Sequence, residues 1–273
     1  MPREQEDRRN FDPHSSAFAL YAHKMRRYRE RDGLSQPDVA KHCIVSPKLI
    51  SAIENMRRLP TDEVSKRLDT LHTADFFEDQ YFQIRREMDL TPGFFSYAEQ
   101  EDQAASVYTY EPLMIPGLLQ NEAYAREVLG VGSDKGRLEE MVALRLGRQD
   151  KLEGAPPTFL VAVIKESVLR ETAPGSEVMA AQLAHLIEIG ERHNIEIQVL
   201  PTGARIYVSG AFTLLKFMEG NDLGYSEGAV GQGRLVEEPA VVHRMAVKFE
   251  QIRSQALHAP GSMRLIRSIM EGL

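Results

Sequence analysis

One stretch constrains the fold of this chain more than any other: residues 34–60, which read LSQPDVAKHCIVSPKLISAIENMRRLP. Counted from Gln36, a small residue is fifth, and apolar residues are tenth, fifteenth and eighteenth: Ala40, Val45, Ile50 and Ile53. The small residue lets two helices cross closely, and the apolar residues fill the wedge between them. The spacing predicts two short helices joined by a tight turn.

The residues at the helix ends agree with this prediction. Ser35 can cap the first helix, with Asp38 reaching back three residues later as in a capping box. Ser46 can cap the second, and Pro47 follows at the first helical position, where its missing N–H costs nothing. Both helix N-termini would then present backbone N–H groups to anions.

The turn contains one residue that does not fit. A glycine with positive φ usually occupies the ninth position, but this chain has Ile44, whose branched side chain resists that conformation. We expect either a reshaped turn or a strained one.

Two helices that cross in this way leave the second helix free to lie in the major groove of duplex DNA. With the IEN…RRLP pattern of residues 53–60, the segment 16–72 resembles the Xre/Cro-type helix-turn-helix family, which implies a sequence-specific DNA-binding transcriptional regulator. The resemblance implies phosphate contacts by Gln36 and Ser46. It also implies contacts to the base edges, which would be made by Pro47, Lys48, Ser51 and Ala52. Contacts to the DNA backbone would be made by Asn55, Arg57 and Arg58. The alternative is that these are solvated polar residues on a small helical bundle.

Charge is divided unevenly along the 273 residues, whose net charge is −7. Residues 1–72 contain 14 basic and 11 acidic residues, a net charge of +3, and the remainder contains 19 basic and 29 acidic residues, a net charge of −10. We therefore expect the first part to bind nucleic acid and the acidic remainder to have another role.

The sequence favours a cytoplasmic protein, nucleoid-associated when bound to DNA. No apolar run approaches the roughly 18 residues of a membrane span, and the polar N-terminus lacks a signal-peptide core. The single cysteine, Cys43, excludes an internal disulfide and is expected to be a buried core residue. We predict no cofactor.

The predicted organisation is a flexible arm (1–15), a helix-turn-helix domain with an extra helix (16–90), a connector (91–105) and a C-terminal domain (106–273). Arg3, Arg8 and Arg9 of the arm could touch DNA, although disorder is the default expectation. In the first helix, Phe18, Tyr21, Met25 and Tyr28 recur at helical spacing. Further helices are predicted over 61–71 and 76–88.

The C-terminal half has strand and helix patterns in alternation. Residues 158–164 and 195–200 suit strands, 136–152 and 177–193 suit helices, and 211–217 and 223–229 suit a hairpin. Helices over 239–257 and 261–270 follow. The predicted fold class is α+β: an all-α helix-turn-helix bundle followed by a mixed α/β domain.

The order of landmarks in this half, above all YEPLMIPGLLQ at residues 110–120, resembles the domain of unknown function of WhiJ-like actinobacterial regulators. The resemblance covers about residues 16–270 and implies pairing with a small acidic BldB-like partner protein, in an arrangement like that of toxin–antitoxin systems.

The sequence contains no pattern of catalytic residues that would predict an enzyme. His185 and His193 are two turns apart without a third metal ligand, and Gly228–Gly233 does not follow the strand-to-helix turn that a phosphate loop requires. Two functions remain open. In one, the C-terminal domain dimerises the DNA-binding heads on an inverted repeat and receives a protein partner; in the other, it senses a small molecule.

Overall fold

The computed structural model describes residues 12–88, 93–131, 135–206, 210–228 and 233–273. Most of the arm expected over residues 1–15, including its three arginines, lies outside them. The chain divides into two compact units, Met1–Met88 with Gly132–Arg148, and Asp89–Val131 with Gln149–Leu273. Helix-turn-helix and mixed α/β parts are both present, which confirms the predicted α+β class.

The helices of the described residues are α1 (Ala17–Arg31), α2 (Gln36–Cys43), α3 (Pro47–Glu54), α4 (Asp62–His72), α5 (Phe77–Met88), α6 (Phe94–Gln103), α7 (Glu122–Gly130), α8 (Lys135–Gly147), α9 (Glu166–Leu169), α10 (Ser176–Ile189), α11 (Pro239–Arg253) and α12 (Ala259–Met270). The strands are β1 (Ser106–Glu111), β2 (Phe159–Lys165), β3 (Ile195–Leu200), β4 (Phe212–Lys216), β5 (Leu223–Glu227) and β6 (Gly233–Val236). Short 3₁₀ helices cover Gly117–Leu119 and Arg148–Glu153.

The first unit is a bundle of α1 to α5 joined by α8. Phe18, Tyr21 and Met25 of α1 are fully buried, and the Tyr21 ring meets Phe77 of α5 edge-on at 5.1 Å between centroids. Helix α8 belongs to this unit although it lies far along the chain, within the range expected for the C-terminal domain. A helix from the middle of the sequence thus belongs to the same compact unit as the helix-turn-helix.

The second unit is built on a six-stranded sheet in the order β3-β2-β1-β4-β5-β6. β1, β2 and β3 are parallel, whereas β4, β5 and β6 pair antiparallel. The β4–β5 pair is the hairpin expected from the sequence. Within the stretch expected to be a connector, residues 94–103 form α6.

Both faces of this sheet carry core residues. On β2, Leu160, Ala162 and Ile164 belong to one apolar cluster, which includes residues of α10 and α12. Val161 and Val163 belong to another, which includes residues of α11. Burial on both faces explains why β2 is a continuous apolar run in the sequence.

Candidate nucleic-acid interface

The first helix of the motif, α2, begins as its sequence predicts. The Ser35 hydroxyl accepts a hydrogen bond from the Asp38 N–H at 3.4 Å, and the Asp38 carboxylate accepts one from the Ser35 N–H at 2.9 Å. The Ser35 hydroxyl also donates to the Asp38 carboxylate at 2.5 Å, and this bond first, then the one from the Ser35 N–H, lowers the pKa of Asp38. The capping box is confirmed, and it fixes the N-terminus of α2.

The turn keeps the left-handed conformation despite its isoleucine. Ile44 has φ 57° and ψ 44°, and its side chain is 74% exposed. The Val45 N–H donates to the Ala40 carbonyl at 3.0 Å, so the hydrogen-bonding of the helix end is preserved. Of the two alternatives for this turn, strain is therefore the one adopted. A branched residue in this conformation costs on the order of 1–2 kcal/mol, and its exposed side chain offsets little of that cost.

The wedge between α2 and α3 is well packed. Ala40, Cys43, Ile50 and Ile53 are all at most 2% exposed, and Val45 is half-buried. Burial raises the pKa of the Cys43 thiol to about 11, which agrees with its expected role as a core residue rather than a nucleophile.

Helix α3 presents its N-terminal end to solvent. The Ser46 hydroxyl accepts a hydrogen bond from the Leu49 N–H at 3.2 Å, and Pro47 follows at the first helical position. Ser46, Pro47 and Lys48 are exposed and Ser51 is half-buried, but Ala52 is only 8% exposed. The two polar residues of the predicted base-facing set, Lys48 and Ser51, are therefore accessible on α3, whereas Ala52 is buried.

A buried ion pair, which sequence reasoning missed, ties α1, α2 and α3 together. The Glu54 carboxylate accepts hydrogen bonds from Arg29 Nε at 2.6 Å and Nη2 at 3.1 Å, and from Gln36 Nε2 at 2.8 Å. The Glu54 side chain is 1% exposed and that of Arg29 is 15% exposed. The hydrogen bond to Glu54 raises the pKa of Arg29. Gln36, predicted to contact a phosphate, is thus held by Glu54 at the start of α2.

The loop after α3, residues 55–60, folds back on the end of that helix. Asn55 Nδ2 donates to the Ser51 carbonyl at 2.8 Å, and Asn55 Oδ1 accepts from Arg26 Nη2 at 3.3 Å. The Arg57 N–H donates to the Ala52 carbonyl at 2.8 Å. Arg57 and Arg58 are half-buried, and both take part in further interactions. The three residues predicted to grip the DNA backbone are therefore placed directly behind α3.

A second candidate site lies in the second unit. A groove of about 770 Å³ is bounded by the start of β4, the end of β5, β6 and α11. Its apolar lining includes Phe212, Val241 and Met245, and its charged lining comprises Arg234, Arg244, Lys248, Glu227, Glu237 and Glu238. Among the described residues, no carboxylate pairs with any of these three cations. The groove could take an amphipathic molecule.

Two residues considered as metal ligands lie elsewhere. His185 is half-buried within α10, and His193 is exposed beyond the end of that helix. Within the described ranges, no three His, Cys, Asp or Glu side chains are grouped to hold a metal ion. None of the described helices is both long and apolar enough to cross a bilayer.

The short capped helices, the tight turn and the accessible end of α3 define a helix-turn-helix protein, and a family model described as a helix-turn-helix domain matches residues 20–76. The class indicates a DNA-binding regulator rather than an enzyme. The chain belongs to the family described as "Domain of unknown function (DUF5753)", whose model matches residues 94–268. Comparison with curated proteins and with solved structures found no match.

Proposed function

We propose that this protein is a sequence-specific transcriptional regulator of the Xre/Cro type, which binds duplex DNA with α3 in the major groove. The observation that carries the proposal is the exposed end of α3, where Ser46, Pro47 and Lys48 lie beside the half-buried Ser51. Lys48 and Ser51 would contact base edges, with Lys48 donating to guanine acceptors. Arg57 and Arg58 would contact phosphates and supply affinity without sequence information.

The first experiment selects binding sites from a random duplex library with the full chain and measures affinity by fluorescence anisotropy at several salt concentrations. Lys48→Ala with Ser51→Ala should reduce discrimination between the selected site and a scrambled one. Arg57→Ala with Arg58→Ala should weaken both sites and lower the salt slope by about 2. A charge-matched control, Lys66→Ala with Arg67→Ala on α4, should leave discrimination unchanged. If the first two double variants behave alike, the division into base and phosphate contacts is wrong.

The regulator is proposed to act as a homodimer on an inverted repeat. Two heads on half-sites about one helical turn apart multiply the affinity of a single head. Sedimentation of the full chain with and without its selected duplex tests this, because a monomer binding a single half-site would contradict it.

Control by a small protein partner is the favoured regulatory arrangement. The resemblance to WhiJ-like actinobacterial regulators supports a BldB-like acidic partner in a toxin–antitoxin-like pairing, and the net charge of −10 outside residues 1–72 argues that nucleic acid is not the ligand there. An acidic partner would have to bind this half mainly through apolar contacts. Affinity capture with the full chain from its native extract, followed by mass spectrometry, should recover a stoichiometric small protein.

The groove along α11 supports a second candidate function, a one-component regulator that senses a small molecule. Its cations, Arg234, Arg244 and Lys248, beside an apolar lining suit an amphipathic anion. Native mass spectrometry of the purified chain should then show a retained metabolite. Arg244→Ala with Lys248→Ala should abolish its retention and its effect on DNA affinity.

A further inference from the structure

Helix α8 has an unusual position in the chain. It lies within the residues matched by the DUF5753 family model, 94–268, yet it packs in the same compact unit as the helix-turn-helix. Two residues after Gly147 the chain enters the second unit, where Gln149 Nε2 donates to the Gln120 carbonyl at 2.6 Å. A segment that belongs to the DUF5753 match is therefore part of the unit that contains the helix-turn-helix.

At its N-terminal end, α8 is held to α1 and α5. The Ser16 hydroxyl, which caps α1, donates to Glu140 at 2.8 Å, and Arg137 Nη2 donates to the carbonyl of Glu87 at 2.6 Å. Glu140 is 5% exposed, and burial raises its pKa.

At its C-terminal end, α8 lies against the 55–60 loop that follows α3. A methyl group built on Gly147 would overlap the carbonyl oxygen of Arg57 and would lie 3.0 Å from the Arg57 Cα. These are backbone atoms, so no side-chain rotation can relieve the overlap. Gly147 is therefore required for α8 to pack directly on the backbone of the 55–60 loop.

We infer that α8 is a positioning element for DNA binding, which holds the 55–60 loop in the geometry that lets Arg57 and Arg58 reach phosphates. This inference rests on the proposed function. Pre-organising a contact loop raises affinity because less conformational entropy is lost on binding. Helix α8 acts through the loop backbone, and Gly147 itself touches no DNA.

The test uses the full chain carrying Gly147→Ala. Alanine favours a helix over glycine, so any loss cannot come from weakening α8 itself. We expect affinity for the selected duplex to fall on the order of tenfold, with the salt slope reduced by about 1 to 2 as the loop contacts loosen. Hydrogen exchange of the Met56 and Arg57 amides, which bond to the carbonyls of Ile53 and Ala52, should accelerate.

Two further variants separate positioning from general destabilisation. Gly272→Ala is the matched control, because its new methyl group would have no neighbour closer than 3.6 Å and should change neither readout. Arg137→Ala loosens α8 at its opposite end and should accelerate exchange in the loop to a smaller degree. It keeps the test decisive if the glycine variant does not fold.

The outcomes are distinguishable. If the loop amides exchange at the wild-type rate in both Gly147→Ala and Arg137→Ala, α8 does not position the loop, whether or not the chain binds DNA. Faster exchange with unchanged DNA affinity and salt slope overturns the link to DNA binding. If the wild-type chain selects no duplex, the proposed function fails and the link to DNA fails with it, while the exchange measurement still decides whether α8 positions the loop.

Discussion

Replacing Glu54 by glutamine tests directly how the helix-turn-helix is held together. The substitution keeps the size of the side chain but removes the charge that receives two hydrogen bonds from Arg29 and one from Gln36. The Arg29 side chain, 15% exposed, would be left largely desolvated opposite a neutral amide. Removing one partner of a buried ion pair costs about 3–5 kcal/mol, a large part of the roughly 5–15 kcal/mol that stabilises a typical domain.

The measurement is the free energy of unfolding from a urea titration that is monitored by circular dichroism. Hydrogen exchange of the α1 to α3 amides assigns the loss to the first unit. Glu63→Gln is the matched control. Glu63 pairs with Arg67 on the surface of α4, where its side chain is 65% exposed, so its loss should cost less than about 1 kcal/mol.

A double variant separates the charge from the packing. Arg29→Met with Glu54→Met replaces the pair by apolar side chains and should be more stable than Glu54→Gln, because the Arg29 charge is no longer left opposite a neutral group. Arg26, whose Nε lies 3.9 Å from Glu54, keeps its hydrogen bonds to the Glu54 carbonyl and to Asn55 in both variants. If Glu54→Gln costs no more than Glu63→Gln, the ion pair does not hold the three helices together, and the reasoning from burial is refuted.

Three further predictions concern the same unit. Ile44→Asn should stabilise it by about 0.5–1 kcal/mol, because asparagine tolerates the left-handed turn and the mostly exposed isoleucine loses little burial; Ile44→Val, which keeps the branched Cβ, should gain nothing when unfolding is measured in urea. Arg31 first, then His72, hold the pKa of Asp32 well below its usual range. The stability Asp32 contributes is therefore present above the unfolded pKa of about 4 and lost as pH falls below it, so Asp32→Asn should flatten the acid limb of a stability–pH profile. Cys43, whose thiol pKa is about 11, should react with a thiol reagent at pH 8 only on unfolding, and rapid labelling of the native chain would contradict its burial.

The elements that were predictable carry their signal within a few residues. The ends of α2 and α3 follow from Ser35, Asp38, Ser46 and Pro47, since a capping side chain bonds to backbone two or three positions away. The β4–β5 hairpin follows in the same way from two short apolar runs around a polar turn. For such elements the local free energy and the tertiary fold favour the same conformation.

The contacts that were missed join residues far apart in the chain. Glu54 pairs with Arg29 across 25 positions, and the Ser16 hydroxyl donates to Glu140 across 124. A carboxylate that will be buried beside an arginine looks, in sequence, like any other glutamate at the end of a helix. The turn at Ile44 is a different case, because its sequence disfavours the conformation that the packing of α2 against α3 imposes.

The sequence by itself determined the ends of α2 and α3, the β4–β5 hairpin, which residues form the wedge of the helix-turn-helix, and that the N-terminal part is basic and the remainder acidic; it did not reveal β1, β6 or α6. Periodicity, caps and charge are properties of neighbouring residues, so they can be read without the fold. The tertiary structure alone decided the order of strands in the sheet, the buried partner of Glu54 and the placement of α8 behind the 55–60 loop. Each of these depends on which distant surfaces exclude water together, and no residue signals its distant partner before the chain has folded.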